Sequence, residues 1–149
     1  MITLAAYWMG RDTQYKADLT SEIVANATAL LPKVNKLLDF ADDDGIDVGP
    51  VASGWRPPAV NAGIQHAAPK SKHMTGHAVD LRDGQYQSFA RWCTKNQDLL
   101  VECGLWMEHP GWTPTWVHLQ DLPPGSGKRI FIPSSKPATN PDFIIGELK

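Results

Sequence analysis

Hydrophobic residues form two kinds of pattern along the chain, a helical period and short apolar runs. Between residues 20 and 40, apolar side chains recur every three or four positions, which predicts a core-packing helix that Thr20 caps and Pro32 kinks or splits. A second helical pattern covers residues 85–103 and ends at Gly104. Short apolar runs between turn residues predict strands at residues 48–55, 78–81, 105–109 and 116–120. The pattern therefore mixes helices with short strands.

Length and composition indicate one domain, residues 1–149. The chain has 149 residues, of which 42% are hydrophobic, so it can build a core without a disulfide framework. Its two cysteines, Cys93 and Cys103, lie ten positions apart on the second predicted helix, about 15 Å from each other, and we expect free thiols. The residues after 122 are rich in Pro, Gly, Ser and Lys, and we expect this tail to wrap the surface.

The charges of the chain argue against several classes of partner. Fourteen basic and sixteen acidic residues give a net charge of -2, and no basic run is present, so we expect no nucleic-acid partner. The apolar stretch at residues 4–9 has no basic residue before it and is followed by Arg11 and Asp12, unlike a signal peptide. No segment approaches the ~20 apolar residues of a membrane span, so no integral membrane segment is expected.

Candidate chemistry is concentrated in two segments, SKHMTGHAVD at residues 71–80 and WVH at residues 116–118. Two imidazoles and a carboxylate are a suitable ligand set for a catalytic zinc site, which uses three protein ligands and keeps one position open. Two distant cysteines cannot build a closed structural site. An arbitrary His and Asp seven residues apart are more often surface or capping residues, however, and spacing alone does not decide between the two interpretations.

A family resemblance changes this balance. The string SKHMTGHAVD fits the pattern SxHxxGxAxD, and with SGWRPPAVNA upstream and WVHLQ downstream it resembles the zinc D-Ala-D-Ala metallopeptidase family. That family includes VanX- and VanY-type peptidases and phage L-alanyl-D-glutamate endolysins, with lysostaphin and the hedgehog amino-terminal domain as distant relatives. The three motifs cover about residues 50–120, and the whole chain is most similar to small phage or prophage carboxypeptidase-like members. The resemblance implies an α+β, hedgehog/D-Ala-D-Ala peptidase-like fold, with helices packed on one side of a small antiparallel sheet that carries the metal.

The resemblance also assigns the site residues. It makes His73, Asp80 and His118 the ligands of Zn²⁺, and it places Arg56 beside the metal, where it binds a substrate carbonyl or carboxylate. Members of the family commonly carry Asp or Glu three residues before the last histidine ligand, a position that Thr115 occupies in this chain. We take Glu108, at the end of the preceding strand, as the catalytic base, although it can also be read as a solvent-facing edge-strand glutamate.

The function implied is that of a zinc-dependent, endolysin-like peptidoglycan peptidase. It would hydrolyse an amide bond in the murein stem peptide by zinc-activated water, as a monomer made in the host cytoplasm and acting on the cell wall. Two alternatives stay open: a non-catalytic zinc module for recognition or assembly, which the Thr115 position favours, and a D-Ala-D-Ala dipeptidase. The sequence does not distinguish an endopeptidase from a carboxypeptidase.

Overall fold

The computed structural model describes residues 1–65 and 67–133. Most of the tail, residues 134–149, therefore lies outside the described residues, as does the predicted wrapping of that tail around the surface. The α-helices are α1 (Leu4–Trp8), α2 (Arg11–Gln14), α3 (Ser21–Asp43), α4 (Pro58–Ala62), α5 (Ser88–Lys95) and α6 (Gln97–Cys103). The strands are β1 (Val51–Ser53), β2 (Ala78–Arg82), β3 (Trp106–Glu108), β4 (Trp116–Gln120) and β5 (Ile130–Phe131). Short 3₁₀ turns lie at Lys16–Asp18, Lys72–Thr75 and Pro110–Trp112.

Helix α3 is the long core helix that the periodicity predicts. Thr20 caps it, since its side-chain hydroxyl accepts a hydrogen bond from the Ile23 amide at 3.1 Å. Of the two predicted effects of Pro32, a split of the helix is wrong, because one helix extends from Ser21 to Asp43. Pro32 is exposed, whereas Leu31 and Val34 beside it are buried in one core. Packing on both sides of the proline therefore offsets a backbone cost of roughly 3 kcal/mol.

The second predicted helix is divided in the structure. Helix α5 ends at Lys95 and α6 begins at Gln97, because Asn96 leaves the helical conformation with φ −127° and ψ 46°. The Asn96 side-chain amide donates to the Trp92 carbonyl at 2.8 Å, a local bond that competes with helix continuation. Both cysteines are buried free thiols, as the sequence predicts.

The described residues form a five-stranded sheet in the order β1-β2-β4-β3-β5. The first four strands pair antiparallel, but β3 and β5 are parallel, so the predicted all-antiparallel sheet is wrong and the sheet is mixed. Strand β5 follows β4 in the sequence but lies beyond β3 in the sheet, where it runs parallel to β3 and opposite to β4. The coarser α+β prediction is confirmed.

The two faces of the sheet serve different purposes. Alternate residues of the central strands, Val79 on β2, Met107 on β3 and Leu119 on β4, are fully buried in one cluster with residues of α3, α5 and α6. Because side chains alternate along a strand, the neighbouring residues Asp80 and His118 face the opposite way. Helices α3, α5 and α6 thus pack on one face, and Asp80 and His118 lie on the other. Within residues 1–65 and 67–133, the helices are all too short or too polar to cross a membrane.

Candidate metal centre

The sheet register brings the first two candidate ligands together. Strands β2 and β4 pair so that Asp80 lies directly opposite His118. Residues opposite each other on antiparallel strands have neighbouring side chains, and Nδ1 of His118 lies 2.9 Å from Oδ1 of Asp80. The third residue, His73, reaches the same oxygen from the 3₁₀ turn Lys72–Thr75, with its Nε2 at 3.1 Å.

The local sequence folds His73 into this position. The Ser71 hydroxyl accepts from the His73 amide at 3.3 Å and caps the 3₁₀ turn, and Gly76 ends it in the left-handed region, at φ 79°. A Cβ on Gly76 would lie 2.8 Å from the Ile23 carbonyl oxygen of α3. Gly76 is therefore required both by the backbone conformation and by close packing against a helix.

The three residues form a cluster that fits a metal ion. One ligand atom from each of His73, Asp80 and His118 lies within 4.8 Å of the other two. His73 and Asp80 are 1% and 5% exposed, and the His118 side chain is 13% exposed, so the most accessible part of this cluster is on the His118 side. An enclosed pair of ligands with one accessible edge can hold a cation and still admit a small molecule.

Hydrogen bonds to the outer ring nitrogens explain why these atoms converge. Nδ1 of His73 lies 2.8 Å from the Gly54 carbonyl, and Nε2 of His118 lies 2.8 Å from Oε1 of Gln120. Both oxygens are acceptors, so each outer nitrogen carries a proton, and in neutral rings the inner nitrogens present lone pairs. Two such lone pairs and the Asp80 carboxylate then face one another, which is electrostatically unfavourable. A bound cation would remove this repulsion, and hydrogen bonds to the outer ring nitrogens are typical of metal-binding histidines.

Burial and charge act against each other on the triad. Burial alone raises the pKa of Asp80, but when the imidazoles are protonated, the charge of His73 and hydrogen bonds from both rings outweigh burial and hold that pKa well below its ordinary value. Burial lowers the pKa of His73, which favours the neutral imidazole that binds metals. Burial also acts to lower the pKa of His118, but the Asp80 hydrogen bond and charge outweigh it and the pKa is raised.

Arg56 lies in direct contact with this cluster. Its Nη2 is 3.0 Å from Oδ2 of Asp80, and its Nε donates to the Ser53 hydroxyl at 2.9 Å. The Arg56 amide also donates to the His73 carbonyl at 3.1 Å, which ties the arginine to the turn that carries His73. The Nη2 contact thus orients Asp80 by a charge-assisted bond, while the Nε contact with Ser53 holds the guanidinium group in place, a role that the sequence did not indicate.

Glu108 lies on the same face of the sheet as His118. Strands β3 and β4 pair Trp106 with Gln120 and Met107 with Leu119, so the register continues with Glu108 next to His118. Glu108 is half-buried, and its negative charge acts to raise the pKa of both His118 and Arg56. The hairpin thus brings the Glu108 carboxylate into the electrostatic field of the metal cluster.

Thr115, by contrast, is exposed in the turn before β4. Its carbonyl accepts from the Asp83 amide at 2.9 Å.

Two residues of the site were not identified from the sequence. Gln120, 4% exposed, orients His118 and is itself fixed by donating to the Leu122 carbonyl at 2.7 Å. Because it lies two positions after His118 on one strand, the alternation of side chains could have placed it on the metal face. Phe131 packs its ring at 87° to the His118 ring, with centroids 6.1 Å apart. Its strand lies within the apolar run of the tail, and nothing in the sequence indicates that this run returns beside the metal.

Comparisons of the chain with protein-family models, with curated proteins and with solved structures gave no match.

Proposed function

We propose that this chain is a zinc-dependent peptidase that hydrolyses an amide bond in the murein stem peptide. The observation that carries the proposal is the convergence of His73, Asp80 and His118 on one point, with both outer ring nitrogens bonded to acceptors. Two histidines, one carboxylate and an accessible edge match the ligand set of catalytic zinc sites. The SxHxxGxAxD resemblance supports the same function, and with it the hedgehog/D-Ala-D-Ala peptidase-like subtype of the α+β fold.

In the proposed reaction, His73, Asp80 and His118 would hold the ion. When bound, zinc would supply Lewis-acid chemistry, activating water at neutral pH and polarising a carbonyl. Glu108 accepts the proton of the attacking water and returns it to the leaving amine, so one carboxylate serves both steps. Arg56 fixes Asp80 through Nη2, is itself held by donating Nε to Ser53, and offers its Nη1 to a substrate oxygen. The same chemistry requires no covalent intermediate.

One observation favours a second candidate function, a non-catalytic zinc module for recognition or assembly. Thr115 occupies the position where related peptidases carry an acid, and the structure leaves it exposed in a turn. Such a module would bind zinc at the same three residues but would hydrolyse nothing. The two candidates therefore agree on metal binding and differ only in turnover.

Metal analysis and a peptidoglycan digest test the proposal together. The purified full chain is analysed for zinc and iron, because two histidines and one carboxylate also suit Fe(II). Sacculi, synthetic stem peptides and free D-Ala-D-Ala are then incubated with the zinc-loaded chain and with a chelated sample, and mass spectrometry identifies new termini. We expect about one zinc per chain and stem-peptide cleavage that chelation abolishes.

Each of the other outcomes of this experiment would contradict the peptidase or favour one of the alternative functions. Iron instead of zinc, or no new amine from any substrate, would refute the peptidase. Zinc binding without turnover would favour the recognition module, and faster cleavage of D-Ala-D-Ala than of sacculi would favour a dipeptidase. If cleavage is seen, the products also identify the bond cut and distinguish an endopeptidase from a carboxypeptidase.

A further inference from the structure

A second arginine, Arg11, contacts the chain segment that carries Arg56. It is the first residue of α2, and its Nη1 donates to the Trp55 carbonyl at 2.8 Å. That carbonyl belongs to the peptide bond that leads into Arg56, whose own guanidinium contacts Asp80 of the triad at 3.0 Å. The guanidinium group of Arg11 is thus fixed against the peptide unit that leads into Arg56, a residue 45 positions later in the sequence.

The two arginines differ in how their charges are compensated. Arg56 forms an ion pair with the Asp80 carboxylate. Arg11 forms no ion pair with a carboxylate among residues 1–65 and 67–133. Arg11 is half-buried, and burial together with the positive charge of Arg56 lowers its pKa. Holding two like charges close together in a partly buried place is unfavourable unless an anion lies between or beside them.

The partners of Asp80 add to this imbalance. Its carboxylate is shared among Arg56, His73 and His118, so it does not compensate the charge of Arg11. A cleft with an excess of positive charge attracts and retains an anionic substrate. The Trp55 contact uses one guanidinium nitrogen of Arg11, and the rest of the group remains for the forked hydrogen bonding that carboxylates accept.

We propose that Arg11 and Arg56 form a carboxylate subsite beside the metal triad, in which Arg11 binds a free carboxylate of the substrate. The inference rests on the proposed function and makes it more specific, because it selects peptides that present a carboxylate near the scissile amide. Stem peptides carry two kinds of such group: the carboxylate at the peptide end and the α-carboxylate of a γ-linked glutamate. Both carboxylates can form the same hydrogen bonds with a guanidinium group. An experiment in which each carboxylate is blocked in turn shows which of them Arg11 binds.

Three synthetic stem peptides test the subsite: one unmodified, one amidated at its carboxyl end, and one amidated at the glutamate α-carboxylate. Their dissociation constants are measured by calorimetry with the full chain after zinc removal, where no turnover interferes. We expect one of the two amidations to weaken binding to the wild type about 10-fold, as loss of a charge-assisted hydrogen bond does. In Arg11→Gln the same amidation should have no further effect.

Two further variants distinguish a loss of carboxylate binding from a change in fold or in net charge. Arg11→Lys keeps the charge without the fork, so it should fold and retain only part of the preference for the free carboxylate. Lys16→Gln removes the same charge from an exposed position in the same segment and should bind like the wild type. Thermal melts of all variants show whether the fold is intact.

The outcomes separate the subsite from the proposed function. Equal binding of all three peptides by the wild type, or equal weakening of all three by Arg11→Gln, would overturn the subsite even if the zinc-loaded chain cleaves them. A carboxylate preference that disappears in Arg11→Gln supports the subsite even if the loaded chain cleaves nothing. In a cleaving enzyme, the subsite also predicts that Arg11→Gln raises KM about 10-fold for the carboxylate peptide and leaves KM of the amide unchanged.

Discussion

Replacing Gln120 should weaken metal binding although this residue is not a ligand. Its Oε1 accepts the outer N–H of His118 at 2.8 Å, and its own amide donates to the Leu122 carbonyl at 2.7 Å. Gln120→Met keeps the length of the side chain but leaves the His118 N–H and the Leu122 carbonyl without this partner. The ring of His118 is then free to turn or to adopt the tautomer that places a proton on the metal-facing Nδ1.

The size of the effect follows from the burial of Gln120, which is 4% exposed. Leaving a buried polar group unsatisfied costs about 1–3 kcal/mol, which corresponds to about 5- to 150-fold in an equilibrium constant. Loss of a hydrogen-bond partner behind a metal-bound histidine lowers metal affinity by about 10- to 100-fold. We therefore expect Gln120→Met to bind zinc 10- to 100-fold more weakly, and Gln120→Glu, which keeps an acceptor for His118, to bind more tightly than Gln120→Met.

The measurement is a competition between each variant and a chromophoric chelator at fixed pH. Gln85→Met is the matched control, since it makes the same replacement at an exposed position. Melting curves in excess chelator separate a loss of affinity from a loss of fold. Wild-type zinc affinity in Gln120→Met, or weaker binding by Gln120→Glu than by Gln120→Met, would show that Gln120 does not orient a metal ligand.

Three further predictions concern the ligands, the base and the turn. His73→Ala and His118→Ala should each fail to retain zinc through gel filtration, and undiminished zinc in either would mean that the site lies elsewhere. Glu108→Gln should retain zinc and fold but lose hydrolysis by about 10²-fold or more, and near-normal turnover would assign the proton transfer to another group. Gly76→Ala should lower the free energy of unfolding, measured in urea, by about 2 kcal/mol or more, because a Cβ meets a backbone oxygen of α3 at 2.8 Å in addition to the left-handed strain. Gly45→Ala, at φ 72° with open space around it, isolates the strain alone and should cost less.

The elements that the sequence predicts well are those in which local pattern and tertiary packing agree. The short apolar runs at β2 and β4 and the 3.6-residue period of α3 each identify buried residues that the structure confirms. Pro32 and Asn96 show where local rules mislead. The proline is accommodated within α3 because both flanks are held in the core, whereas a single asparagine side chain divides the second helix. Neither outcome follows from periodicity alone.

The parts of the site that sequence reasoning missed depend on distant contacts. Strand β5 is a two-residue element whose pairing with β3 depends on where the chain returns after β4. The Arg11 contact with the Trp55 carbonyl joins segments 44 residues apart, and no spacing within either segment signals it. Such pairings are set by the assembled tertiary structure, which a pattern read along the chain cannot contain.

The metal triad nevertheless has a direct link to the hydrophobic pattern. Asp80 meets His118 only because β2 and β4 pair in one register, in which Val79 faces Leu119 within the buried cluster. A slip by one residue would turn the buried side chains outward and would also move the carboxylate to the opposite face from the imidazole. The apolar residues that stabilise the sheet therefore also fix the ligand geometry, and substitutions that weaken the register should reduce zinc affinity even where no ligand is changed.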